Sequence, residues 1–329
     1  MHSSTTLTFR PGTKADLDRI LPFIQPDGAS PMTSDRYQKY LDDGQYSLDR
    51  TWIAVDTASN DNAVLAVAVW WALPGTTEPG ALDLIYVHES VDPADRIALA
   101  ADLLSTAHQA FAEEFGQTEP PECHVFVPGD WRDRPDVVDV LTWRRAALER
   151  AGLGTLLERL RFAWTPADGP VPAESSRGLE FRAEPDDEVF VDLFTRVLNG
   201  SLDTTSTREA AQIGAAEQAR KDLTHLRDQM LGERSWWRVA VNRDGETIGF
   251  GIPSRNPVVP VVGYLGVLPE HRGHSYIDDI LAEITRTLVA EADAELIRAD
   301  TDLVNEPMAA AFRRVGYRNH ARRLVFSQG

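Results

Sequence analysis

The 329-residue chain contains one cysteine, Cys123, so an intramolecular disulfide is impossible and a zinc site built on several thiolates is excluded. Such sparse cysteine use fits a reducing cytoplasm, where the protein is expected to reside. Long apolar runs are missing too: the longest, residues 63–73, falls well short of the roughly 20 residues that span a bilayer. The opening residues, MHSSTTLTFRPG, hold no basic region followed by an apolar stretch, so neither export nor anchoring is expected. Basic residues are scarce beside acidic ones. Lys and Arg number 33 against 51 Asp and Glu, a formal charge of −18. A surface of that sign repels nucleic-acid phosphates and anionic headgroups, so no nucleic acid and no membrane is expected as a partner. The remaining composition, 43% hydrophobic and 26% charged, is that of a soluble globular protein with room for two ordinary domains.

The clearest break is TPADGPVPAESSRG, residues 165–178, with three prolines, two glycines and no apolar periodicity. Cutting there gives domains 1–166 and 179–329 joined by a linker, 167–178. The halves repeat one another. Each opens on a Phe-Arg strand leading into an amphipathic helix, from Leu7 and from Leu179. Each continues with a Trp-containing strand at Trp52 or Trp237, a turn (58–62; 242–246) and a second strand. The closing segments 147–162 and 311–326 run at a constant offset of 164, each a helix, a glycine (Gly152 or Gly316) and a final strand. This implies a tandem duplication of an α/β (α+β) unit, a mixed, mostly antiparallel sheet with a parallel centre flanked by helices. Two unrelated α/β domains are the alternative.

The most informative stretch is residues 261–292. An apolar strand, GYLGV, passes through the loop LPEHRGHSY into a helix whose Ile277, Ile280, Leu281, Ile284 and Leu288 share one face. A loop with Arg272 and Gly273 at a helix N-terminus presents free N–H groups and the positive dipole end, a natural pyrophosphate site. The segment resembles motif A of the GNAT superfamily of acyl-CoA-dependent N-acyltransferases, Arg/Gln-x-x-Gly-x-Gly/Ala. Here those six positions are Arg272, Gly273, His274, Ser275, Tyr276 and Ile277, with the approach Val267, Pro269, Glu270 intact and Ser275 and Ile277 replacing the small residues.

The resemblance implies acetyl-CoA, or another acyl-CoA, held by Leu265, Gly266, Val267 and residues 272–277, with Asn305 on the pantetheine arm and Phe312 beside it. It implies direct attack of a primary amine, from a small molecule or peptide, on the thioester, with the Val267 amide polarising the carbonyl. The family often protonates the departing thiolate with a tyrosine four residues before the helix-ending glycine. Here that place is Phe312, which leaves Tyr317, Tyr264 or a water, and Asp302 is a candidate base. A non-catalytic acyl-CoA sensor or structural pseudoenzyme remains the second reading.

The matching loop of the first half has no glycine between Gly80 and Gly116 and carries Glu89, Asp92 and Asp95 where phosphates would lie. Asp92 reads as an N-cap with Pro93 at N1, so this half is expected to keep the fold without the cofactor site. Several residues have plain readings beside the functional ones. Asn305 suits an N-cap before Glu306 and Pro307, and Tyr264 suits the core. Trp236 and Trp237 should point to opposite faces, at least one into the core. His271 and His274 lack a third metal ligand, and Cys123 suits a buried small hydrophobe. Residues 205–231 are expected to form one long, mostly solvated helix.

Overall fold

The computed structural model describes residues 7–59 and 62–329, so the first six residues and the middle of the 58–62 turn lie outside the described residues. The first half supplies strands β1 (Leu7–Pro11), β2 (Thr51–Asp56), β3 (Ala63–Trp71), β4 (Ala81–Val87), β5 (Cys123–Val127) and β6 (Thr155–Trp164). Its helices are α1 (Leu17–Ile20), α2 (Ser34–Asp42), α3 (Pro93–Phe115) and α4 (Pro135–Arg150). The second half supplies β7 (Glu180–Ala183), β8 (Arg238–Val241), β9 (Thr247–Arg255), β10 (Pro260–Val267), β11 (Ile297–Asp302) and β12 (Arg318–Ser327). Its helices are α5 (Asp187–Leu198), α6 (Thr204–Ile213), α7 (Ala215–Thr224), α8 (Tyr276–Ala292) and α9 (Glu306–Arg314). The strand sequence of the two halves matches the expected repeat.

The chain forms two compact units, Met1–Glu158 with Arg322–Gly329, and Arg159–Ala321. Each unit is thus completed by the final strand of the other half of the sequence, whereas a cut at 167–178 keeps each final strand at home. In the first unit, residues 322–326 of β12 pair antiparallel with β5, and Leu324 and Phe326 enter the core with Cys123, Val125, Leu104 and Phe111. In the second, residues 159–164 of β6 pair antiparallel with β11, and Leu160, Phe162 and Trp164 lie in the core with Ile280, Leu281, Ile284 and Leu288 of α8.

The exchange has a local cause. Both final strands carry the same alternating apolar pattern at the 164-residue offset, Leu160 and Phe162 against Leu324 and Phe326, so either suits either sheet. The helix ends before them are equally alike. Leu153 N–H bonds to Leu148 O and Tyr317 N–H to Phe312 O, both at 2.9 Å, across Gly152 and Gly316 in left-handed conformations, φ +90° and +98°.

Each sheet is covered on both faces. In the second unit, α8 packs with Phe162, Trp164, Ile248 and Ala299, while α5, α7 and the turn His225–Gln229 that follows it pack Phe190, Phe194, Leu223 and Leu226 on Trp237, Phe250 and Ile252. Trp236 belongs to the first group and Trp237 to the second, the opposite facing that a two-residue period requires. Cys123 is buried, its thiol pushed up to about 12 by desolvation. Among the described residues no helix is long and apolar enough to cross a membrane, and no group of three or more His, Cys, Asp and Glu is arranged to hold a metal.

Two expectations change. Residues 205–231 form not one helix but α6 and α7, broken at Gly214, whose φ of +92° ends a right-handed helix. The segment is mostly solvated, as expected, and α7 buries one face through Gln218, Ala219 and Leu223. The proline-rich segment 165–178 is also held along its length: Ser175 Oγ donates to Asp279 Oδ2 at 2.5 Å, Arg177 Nη1 to Asp279 Oδ1 at 2.7 Å, and Arg286 to the Ala173 carbonyl.

Phe326→Ala is expected to destabilise the first unit by about 3–5 kcal/mol in urea denaturation, because it empties a buried aromatic site. A loss below about 1 kcal/mol would contradict the place of β12 in that core.

Candidate functional site

The site in the second unit begins where two parallel strands part. β10 and β11 pair only at Val261 and Arg298, and beyond that point the far edge of β10 is no longer covered by its neighbour. The other edge stays on β9, with a bulge at Gly263 between the pairs Val262–Pro253 and Tyr264–Ile252. A Cβ at Gly263 would lie 2.8 Å from Ser254 Cβ and 2.9 Å from Ile252 O, so only glycine fits. Leu268 N–H bonds to Ile248 O, which makes Val267–Gly249 a non-hydrogen-bonded pair. The Val267 N–H and, two residues earlier, that of Leu265 therefore point to the open edge. Gly266 lets α5 approach, since a Cβ there would meet Val197 Cγ1 at 2.7 Å.

Residues 268–275 connect this edge to α8. The N–H groups of His271, Arg272 and Asp278 bond to Leu268 O, Pro269 O and Ser275 O. Those of Gly273, His274, Ser275, Tyr276 and Ile277 make no backbone hydrogen bond among the described residues, leaving consecutive donors at a helix N-terminus. Gly273, at φ +85°, borders open space. Backbone donors, open space and the positive end of a 17-residue helix fit a pyrophosphate. Ser275 holds φ +58°, ψ +22°, the left-handed conformation for which glycine is suited. The motif's glycine requirement at that position is thus conformational, and here a serine bears it.

Arg272 does something the sequence did not signal. Its Nε donates to Val267 O at 3.2 Å, Nη2 to Val197 O at 2.8 Å, and Nη1 to Asn199 O at 2.7 Å and Gly200 O at 3.2 Å. The guanidinium thereby ties the carbonyl end of α5 to the open edge of β10. Its charge lies near the loop while its donors are engaged by protein carbonyls. Two acidic residues follow in the first turns of α8, and both are neutralised: Asp278 by Arg314 at 2.7 Å, Asp279 by Arg177 at 2.7 Å. Arg177 lies in the stretch that the sequence marks as linker.

The remaining candidates separate. Asn305 caps α9, accepting from Met308 N–H at 3.3 Å. Asp302 is buried, accepts from Thr204 N–H at 2.6 Å and lies 3.1 Å from Arg159 Nε, so it tethers the start of α6. Phe312 is buried, stacked on Phe162 at 4.8 Å and edge-on to Tyr317 at 5.4 Å. Tyr317 is itself in the core, its hydroxyl 2.7 Å from Thr285 Oγ1, and desolvation pushes the phenol well above its usual range. Tyr264 lies at the open strand among Phe194 and Phe250; burial, then the charges of Asp222 and Asp203, raise its phenol.

The first unit repeats the parting but not the loop. β4 and β5 pair only at Leu82 and Cys123, and β4 bulges at the same place, where the residue is Asp83. Tyr46 hydroxyl donates to Asp83 Oδ2 at 2.5 Å, and burial raises that carboxyl. The connection to α3 is residues 88–92, three shorter than its counterpart. Asp92 accepts through Oδ1 from Ala94 N–H at 2.9 Å and through its carbonyl from Asp95 and Arg96 N–H, so the donors are already satisfied.

No family model matches the sequence, and no curated protein matches it. Solved structures do resemble it. A GCN5-related N-acetyltransferase from Sphaerobacter thermophilus aligns with TM-score 0.56 and 15% identity over 98% of this chain and 95% of that one. A tandem GNAT protein from the clavulanic acid biosynthesis pathway aligns with TM-score 0.50 and 16% identity over 98% and 99%. A glucosamine N-acetyltransferase region of a fungal multi-domain β-N-acetylglucosaminidase aligns with TM-score 0.55 and 14% identity over 98% of this chain and 38% of that one. The fold is a tandem GNAT fold.

Arg272→Lys is expected to cost about 2 kcal/mol in thermal or urea unfolding, because a point charge cannot reach four carbonyls at once. Ser275→Gly relieves the left-handed strain and is expected to raise stability by up to about 1 kcal/mol. A loss of stability in Ser275→Gly would show that the strain is offset by a contact of the serine.

Proposed function

We propose that the chain is an acyl-CoA-dependent N-acyltransferase that moves an acetyl group from acetyl-CoA to a primary amine of a small molecule or peptide by direct attack. The observation that carries this reading is the run of unbonded N–H groups from Gly273 to Ile277 beside the open edge of β10, where Val267 N–H points outward. The tandem GNAT fold supports it, as do the structural neighbours described as N-acetyltransferases. When bound, acetyl-CoA would supply an activated thioester carbonyl. In this reading the loop amides hold its pyrophosphate, which lets a polyanion bind a chain of charge −18 through fixed backbone dipoles. Leu265 and Val267 N–H orient the arm, and Val267 N–H polarises the carbonyl oxygen as a donor fixed before reaction. Arg272 keeps that edge in place through the Val267 carbonyl. Phe312 has no proton to give and the Tyr317 hydroxyl is held in the core by Thr285, so the proton that leaves with sulfur is the one the attacking nitrogen sheds, carried through Tyr264 or a water at the open edge.

The second reading, an acyl-CoA sensor without chemistry, is favoured by Phe312 and by Ser275 and Ile277 in the motif. Calorimetric titration with acetyl-CoA is expected to give one site per chain, because the loop of the first unit is self-satisfied and acidic. Gly273→Glu, which sets a carboxylate among the loop amides, is expected to abolish that binding. Absence of binding in the unmutated protein overturns both readings, and two sites per chain overturn the asymmetry. Turnover against a panel of amines then separates enzyme from sensor.

A further inference from the structure

The α7 face of the second unit carries a carboxylate, Asp222, that has no ion-pair partner among the described residues, though the Lys221 charge lies near it. Asp222 is half-buried, and Gln218, one turn earlier, donates Nε2–H to its Oδ1 at 2.8 Å. Among the described residues no Lys or Arg forms an ion pair with it. The charges on neighbouring elements are matched elsewhere: Lys221 with Glu209 of α6 at 2.6 Å, Arg159 of β6 with Asp203 at 3.2 Å and Asp302 at 3.1 Å. Arg272 is bound to carbonyls. Gln218 adds an independent sign. Only 1% exposed, it leaves its Oε1 without a hydrogen-bond partner, so a second acceptor stands beside the carboxylate and lacks a donor. The face adjoins the open strand: Tyr264 packs on the cluster that holds Leu223 and Leu226, and its phenol lies in the field of Asp222 and Asp203. A carboxylate with one oxygen bonded to Gln218 and a neighbouring amide oxygen that lacks a donor suit a single ammonium group.

We propose that Asp222 and Gln218 seat the ammonium of a monocationic primary amine, and that Asp222 accepts the proton which that ammonium loses before attack. The inference rests on the N-acyltransferase reading. One N–H bond of the ammonium breaks as an O–H bond forms on Asp222, conserving charge, and the proton passes later to solvent. The freed lone pair forms the C–N bond as the thioester C–S bond breaks, and the nitrogen's extra proton leaves with sulfur. Desolvation, with the charges of Glu209 and Asp203, outweighs the Gln218 hydrogen bond and the Lys221 charge and pushes the Asp222 carboxyl up to about 6, close to the working range of a general base.

Carboxyl-carbon NMR titration tests the seat without turnover, using n-butylamine hydrochloride as the probe and n-butanol as its neutral counterpart. One aspartate of the wild-type protein is expected to titrate near pH 6 and to be missing in Asp222→Asn. Butylammonium should lower that midpoint and butanol should leave it alone; an unmoved midpoint overturns the proposal. A raised carboxyl pKa favours the folded state below about pH 4, an advantage lost as pH rises through about 6. Asp222→Asn should therefore be at least as stable as wild type at pH 7.5, which serves as the folding control. In turnover assays the variant should lose about 100-fold in kcat and the acid limb near pH 6, with KM for acetyl-CoA unchanged. A variant with wild-type kcat and the same acid limb overturns the base assignment. If acetyl-CoA does not bind at all, the transferase reading fails while the carboxyl titration still reports on the seat; if it binds and butylammonium does nothing, only the present inference falls.

Discussion

The second unit is organised by the parting of β10 from β11 after a single paired position. A strand edge left uncovered must have its N–H and C=O groups met by something else. On the carbonyl side the answer is Arg272, whose guanidinium takes Val267 O and three carbonyls at the end of α5. On the amide side the N–H groups of Leu265 and Val267 face the opening. The bulge at Gly263, the close approach of α5 over Gly266 and the left-handed serine before α8 lie along the strand and loop that border the same parting.

The first unit shows that the parting alone does not make such a site. Its strands separate and bulge in the same way, yet Asp83 occupies the bulge and Asp92 occupies the helix N-terminus. The geometry has been kept while the electrostatics have been reversed. Two copies of one fold thus differ less in shape than in which backbone donors remain unmet.

Much of the fold was legible because its signals are local. Offset, periodicity and helix-ending glycines located the repeated elements, and Asp92 and Asn305 cap the helices whose starts they mark in the sequence. The motif loop was legible through Arg272 and Gly273, but the work of Arg272 was not, since its partners at residues 197–200 lie some seventy positions away in sequence. Tyr317 and Asp302 looked available because a sequence shows residue type and not burial; one bonds to Thr285 in the core and the other tethers α6. Asp222 was hidden within a segment read as one solvated helix, because its burial beside Gln218 depends on packing that residue type does not show. The exchange of final strands was invisible for the opposite reason, since the two strands are too similar for pattern to assign either to a sheet.

That exchange also bears on the order in which the molecule is made. Synthesis proceeds from the N-terminus, and domains generally fold as they emerge. Here the first unit lacks a core strand until Arg322–Gly329 has left the ribosome, while the second unit has its borrowed strand, Arg159–Trp164, in hand from the start. The half that is translated first is the half that is finished last. Until β12 emerges, β5 lacks the partner it has in the finished fold, and the apolar residues that pack on Leu324 and Phe326 lack theirs. Chaperone demand and sensitivity to a premature stop codon should accordingly fall on the first unit.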